Sequence, residues 1–189
     1  GALVNVNTSL FDATLINLDV STYWKSNPTN GVNALNSALD TYAGLSLTTA
    51  APLKTIADSY GRVLQEADGS RTNNTDVSKV DGSANTDLVV ADLTNLGVTF
   101  LNTAGTVIPA NTVATLAAEK NLLLDAIGGL FNTAVDTVTE LNDLAKIADN
   151  VVKQAAGGTV SYLDSEWVSA LTSLGISGVN TGNISTIKS

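Results

Sequence analysis

Asp92-Leu93-Thr94-Asn95-Leu96-Gly97-Val98-Thr99 decides the reading of this chain, because it has two relatives. Leu15-Ile16-Asn17-Leu18-Asp19-Val20-Ser21 precedes it and Leu171-Thr172-Ser173-Leu174-Gly175-Ile176-Ser177 follows it. Their first leucines stand at 15, 93 and 171, a constant spacing of 78 residues. A fixed period of this kind marks tandem units. Each copy reads as the end of a short helix. The trios Phe11/Leu15/Leu18, Val89/Leu93/Leu96 and Trp167/Leu171/Leu174 have the i, i+4, i+7 spacing of one helical face. Thr8, Thr86 and Asp164 precede the trios as N-caps. Gly97 and Gly175 follow the last leucine, where a chain leaving a helix turns through left-handed backbone. Val98 and Ile176 then fold back onto the helix. The first copy departs here, with Asp19 in the glycine position.

Working outward, a second helix follows each phrase. In the first unit it covers 32–43, with Val32, Leu35, Leu39 and Tyr42 on one face. In the second it covers 112–130, with Val113, Leu116, Leu123, Ile127 and Leu130 sharing a face that Leu122 and Leu124 widen. A third helix is marked by Leu53-Lys54-Thr55-Ile56-Ala57-Asp58 and its echo Leu144-Ala145-Lys146-Ile147-Ala148-Asp149, 91 residues later. Its apolar face is Leu53, Ile56, Tyr60, Val63 and Ala67 in one unit, and Val138, Leu141, Leu144, Ala148, Val151 and Ala155 in the other. Thr137-Val138-Thr139-Glu140 has the pattern of a capping box. Gly69 and Gly157 end the pair. The polar run before Thr86 reads as a linker. The expectation is an all-α protein of tandem helical-bundle units, about three helices each. Unit one covers 1–70, a linker 71–86, unit two 87–158 and a partial unit three 159–189. Minor short strands are expected near 2–7, 99–108 and 159–162, the middle one a hairpin around Asn102 to Gly105.

Composition narrows the function. Hydrophobic residues make up 44% of the 189, enough for a sizeable core, but charged residues only 14%. Thr, Asn and Ser must therefore build the solvent face. The net charge of −9, with nine scattered Lys and Arg, argues against nucleic acid and against an anionic membrane surface. No Cys, His or Met is present. That removes disulfides, thiolate nucleophiles, most zinc sites and the commonest general base. No catalytic or cofactor-binding residue is expected. The richest apolar stretch, 113–131, is broken by Glu119, Lys120 and Asp125, so no membrane insertion is expected. Gly1 in place of Met implies a processed chain or a piece of a longer one.

The string 92–99, followed by Asp136-Thr137-Val138-Thr139-Glu140-Leu141, resembles helical repeat modules of very large bacterial extracellular surface proteins, the type I-secreted, biofilm-associated adhesins. The second unit matches best; the third has Ala170 where the phrase begins with an acidic residue. The resemblance implies an exported, surface-exposed structural module, and no catalytic residue.

Three sets of residues are candidates for function. Asp81, Ser83, Asn85, Asp87 and Asp92 imitate the oxygen-ligand spacing of a calcium loop, with Thr86 where Gly is expected. A solvated polar linker is the plain alternative. Tyr23 and Trp24 have no match in the other copies and are a possible ligand contact, with a packing anchor as the plain alternative. The third unit stops early. Its apolar residues would cost about 2 kcal/mol each if left in water. Either they fold back on unit two or another chain completes them. The expectation is head-to-tail assembly into a homo-oligomer or fibre. Its contacts would be Leu3, Val4 and Val6 at one end and Trp167, Leu171, Leu174, Ile184 and Ile187 at the other. The function expected is thus a secreted cell-surface or biofilm-matrix component. The alternative is a monomeric adhesin module that binds a host or surface ligand.

Overall fold

A computed structural model describes residues 28–41, 50–67, 69, 88–101, 107–109 and 117–188. This part is mostly helical, as an all-α chain should be. In chain order it contains α1 (Pro28–Thr41), α2 (Ala50–Glu66), α3 (Val90–Asn95), β1 (Thr99–Leu101), β2 (Val107–Pro109) and α4 (Ala117–Gly128). A short 3-10 turn (Asn132–Ala134), α5 (Val138–Ala155), α6 (Asp164–Ser173) and α7 (Ile184–Ile187) complete it.

The copied phrase does locally what its residues dictate. After α3 the Gly97 N–H donates to the Thr94 carbonyl at 3.0 Å, and the Val98 N–H to the Leu93 carbonyl at 2.9 Å. After α6 the Gly175 N–H reaches Thr172 at 2.8 Å and the Ile176 N–H reaches Leu171 at 2.9 Å. Both are Schellman ends, with Gly97 at φ +75° and Gly175 at φ +72°. Val98 is buried and Ile176 packs against the core. The starts differ. Leu163, not Asp164, is the N-cap of α6, and its N–H donates to Glu166 Oε2 at 2.6 Å. Val89 is the N-cap of α3, and its N–H donates to Asp92 Oδ2 at 3.0 Å. Val89 therefore lies outside the helix, its face rule lapses, and it is 48% exposed while Leu88 is buried. Thr8 and Thr86 lie outside the described residues.

α1 begins at Pro28, earlier than the apolar spacing implies, because proline suits the first helical turn. It buries Ala34, Leu35, Ala38 and Leu39. α2 buries Ile56, Tyr60, Val63 and Leu64, with Leu53 half-buried, and Ala67 is buried just past its end. α5 starts at the expected capping box: Thr137 Oγ1 accepts the Glu140 N–H at 3.2 Å, and Glu140 Oε2 accepts the Thr137 N–H at 3.0 Å. It buries Val138, Leu141, Leu144 and Ala148, but Ala155 is exposed, where the last turn runs past the core. The hairpin exists as a minimal antiparallel pair, Phe100 opposite Ile108. Thr99 docks it on α5 through Asn142 Oδ1, which accepts from the Thr99 N–H at 3.0 Å. Residues 159–162 form no strand; Val160 and Tyr162 pack instead against a small cluster below α6. Residues 2–7 lie outside the described part.

The main core is continuous from Ala34 to Leu174. α1 and α2, from the first unit, share it with α3, α4 and α5 from the second, so the core crosses the boundary at 71–86. Ser37 on α1 shows why: its Oγ accepts the Val138 N–H at 2.8 Å, completing the start of α5 across 101 residues. A second, smaller cluster joins Trp167, Leu171 and Ile184.

Candidate functional site

Two features combine several helices: a buried polar joint between α2 and α3, and an open cleft between α5 and α6. The joint centres on Asp92, almost fully buried. One carboxylate oxygen, Oδ1, accepts from Ser59 Oγ at 2.9 Å and from the Arg62 guanidinium. The other accepts the Val89 N–H. Asn95 Nδ2 donates to Ser59 Oγ at 3.0 Å and extends the network. The paired Asp92 holds the Arg62 guanidinium charged to still higher pH than usual, through the hydrogen bond first and against the burial that opposes it. A charge-assisted pair of this kind fixes one helix against another once its hydrogen bonds are complete.

A second joint ties α2 to the 3-10 turn. The Tyr60 hydroxyl donates to the Val135 carbonyl at 3.0 Å, and both residues are buried. Burial raises the Tyr60 phenol pKa well above its ordinary value, and the carboxylates of Glu140 and Asp136 add to the effect.

The cleft has a volume of about 350 Å3 and is lined by Ile147, Tyr162, Ser165, Glu166, Ser169, Ala170 and Ser173. Asn150 Nδ2 donates to the Tyr162 hydroxyl at 2.7 Å beside it. The Tyr162 ring meets Trp167 edge-on, centroids 5.2 Å apart.

Against these sites the sequence expectations divide. Of the calcium set, Asp81, Ser83, Asn85 and Asp87 lie outside the described residues. Asp92 is described, and both its oxygens are occupied within the chain, so a cation there would have to displace Arg62. Its place is that of a third-residue carboxylate that accepts the N–H of the N-cap Val89 and pairs with Arg62. Among the described residues no group of three or more acidic side chains is placed to hold a metal. Of the assembly contacts, Leu3, Val4 and Val6 lie outside the described part, as do Tyr23 and Trp24. Trp167, Leu171, Leu174 and Ile184 are buried within their own chain, Trp167 to 3% exposure, which corrects the expectation that they are open to a partner. Of the two routes left open, folding back on unit two is the one taken: Leu174 enters the main core and Val151 of α5 packs against the Trp167 cluster. Ile187 remains 51% exposed, and Leu163, which the sequence reading passed over, is 69% exposed.

Ser59 and Arg62 were also passed over. Their signal is a polar residue, Ser59, inside the otherwise apolar face Ile56/Tyr60/Val63, one turn before a lone arginine. No helix among the described residues is long and apolar enough to cross a membrane. Compared with known protein families, curated proteins and solved structures, the chain matches none.

Proposed function

We propose that the chain is a structural module of an extracellular, cell-surface or biofilm-matrix protein, and that copies associate head to tail into fibres. It is not an enzyme in this reading. The observation that carries it is how the buried polar groups are used. The buried Asp92, Ser59 and Tyr60 and the half-buried Arg62 and Ser37 each bond one helix to another segment, so these groups hold shape. A sparsely charged Thr/Asn/Ser surface and the resemblance of the 92–99 phrase to adhesin repeats support the setting. Leu163 and Ile187, exposed and each next in sequence to a member of the Lys188–Asp164 ion pair (2.6 Å), are apolar side chains available to a neighbouring copy.

A second reading, a monomeric adhesin module, is favoured by the burial of Trp167 and its neighbours within the chain itself. Sedimentation and electron microscopy of the purified chain separate the two. Concentration-dependent growth and filaments support the fibre. A strict monomer at high concentration would sink it and leave the adhesin. Calcium is a proposal for the 81–92 segment alone, and a melt with and without the ion tests it.

A further inference from the structure

The joints α2/α3 and α5/α6 are built from corresponding residues but are latched differently. Through the Leu53 and Leu144 phrases, Ser59 and Arg62 of α2 correspond to Asn150 and Lys153 of α5. Through the Leu93 and Leu171 phrases, Asp92 and Asn95 of α3 correspond to Ala170 and Ser173 of α6. The first joint is clasped by a buried ion pair with a serine and an asparagine around it. At the second, alanine replaces the carboxylate, Asn150 bonds the Tyr162 hydroxyl rather than α6, and the open 350 Å3 cleft runs past Ala170 and Ser173. Lys153 is exposed.

The piece beyond this cleft is coherent in itself. Lys188 Nζ meets Asp164 Oδ1 at 2.6 Å and ties the end of α7 to the start of α6. Trp167, Leu171 and Ile184 form their own cluster. The connection from α5 runs through Gly157 and Gly158 and then without helix or strand to Leu163. The segment is held to the body by Leu174 and Ile176 in the main core and by Val151 beneath the Trp167 cluster, but not by a buried ion pair, and a cohesive segment held by side-chain packing alone at such a joint can open below the global unfolding free energy.

We propose that residues 164–188 form a weakly latched flap that undocks from α5 as a unit and re-docks on α5 of a second copy. The occupant is set by what already sits there: whatever surface receives Trp167, Leu171 and Leu174 in one chain is present, identical, in the next. Exchange of this kind makes no new interface and is a low-cost route to association. The re-docking rests on the fibre reading above; the undocking does not.

Native-state hydrogen exchange of the full chain tests the first step, and sedimentation the second. The α6 and α7 amides are expected to exchange at least about tenfold faster than those of the α5 core turns Leu141 to Ala148. A transplanted clasp (Lys153→Arg and Ala170→Asp together, with Asn150 kept on the Tyr162 hydroxyl) is expected to slow the α6 amides towards the α5 rate and to reduce association. Equal rates for α6 and α5 in the unaltered chain overturn the flap, even if filaments form. Fast α6 exchange in a chain that stays monomeric supports undocking and overturns re-docking along with the fibre. Association that the transplant leaves unchanged, while slowing α6, overturns exchange as its route and leaves the fibre standing.

Discussion

Gly97 shows how much a single residue settles. Its φ of +75° is one that side-chain-bearing residues reach at about 1–2 kcal/mol. A Cβ there would also stand 3.2 Å from Thr41 Oγ1, which tightens the contact between the α3 end and α1. Gly157 has a similar φ of +79° with nothing within 4 Å of its Cβ position. Gly97→Ala should therefore lower stability by about 1–2 kcal/mol or slightly more, and Gly157→Ala by no more than the backbone cost alone. Paired thermal melts check the order. Tyr60 supplies the pH dependence. The unfolded phenol loses its proton near pH 10, whereas the buried one holds it to higher pH. The Tyr60 contribution is thus intact below about pH 10 and falls as the pH rises further, because only the unfolded chain then releases the proton. Urea midpoints should drop less steeply above about pH 10 for Tyr60→Phe, which lacks the titrating group. At neutral pH that variant should be about 1 kcal/mol less stable, through loss of the bond to the Val135 carbonyl.

At the scale of elements, the questions are where helices stop and what they press against. Stops were readable. Leu-Gly-Val and Leu-Gly-Ile close α3 and α6 in the same way because a Schellman end needs only a left-handed residue and an apolar one after it. The Thr137 to Glu140 box was readable for the same reason, since its partners are three residues apart. The joint between α2 and α3 was not readable, because Arg62 and Asp92 are 30 residues apart and only folding brings them together. Asp92→Ala should cost about 3 kcal/mol, near the lower end for breaking a buried pair, since Arg62 retains some access to water. Chemical denaturation of the variant measures it, and a change under about 0.5 kcal/mol would mean that neither the pair nor the bond to the Val89 N–H contributes much.

For the whole molecule, the continuous core matters more than the period of the phrase. Leu35 and Leu39 of α1 and Leu141 and Leu144 of α5 belong to one cluster. Calorimetry should accordingly show the α1 to α5 body melting in a single cooperative transition. Separate transitions for residues before and after the 71–86 stretch would show that the shared core does not couple them. The α6 part of the candidate assembly site was decided between its two routes at this scale. Its apolar residues were identified correctly as surface that water would penalise, but the chain itself supplies the cover.

The sequence by itself determined the C-terminal ends of α3 and α6, the capping box of α5, the apolar face of α2, most of that of α5 and the small strand pair. All are set by groups within a turn or two of one another. Only the tertiary structure decided that Asp92 pairs with Arg62, that Ser37 completes the start of α5, and that Trp167 lies inside while Leu163 lies outside. Two residues on equivalent helical faces are indistinguishable in the chain until the surface opposite each is known. Burial depends on that surface, and it is assembled from residues tens of positions away.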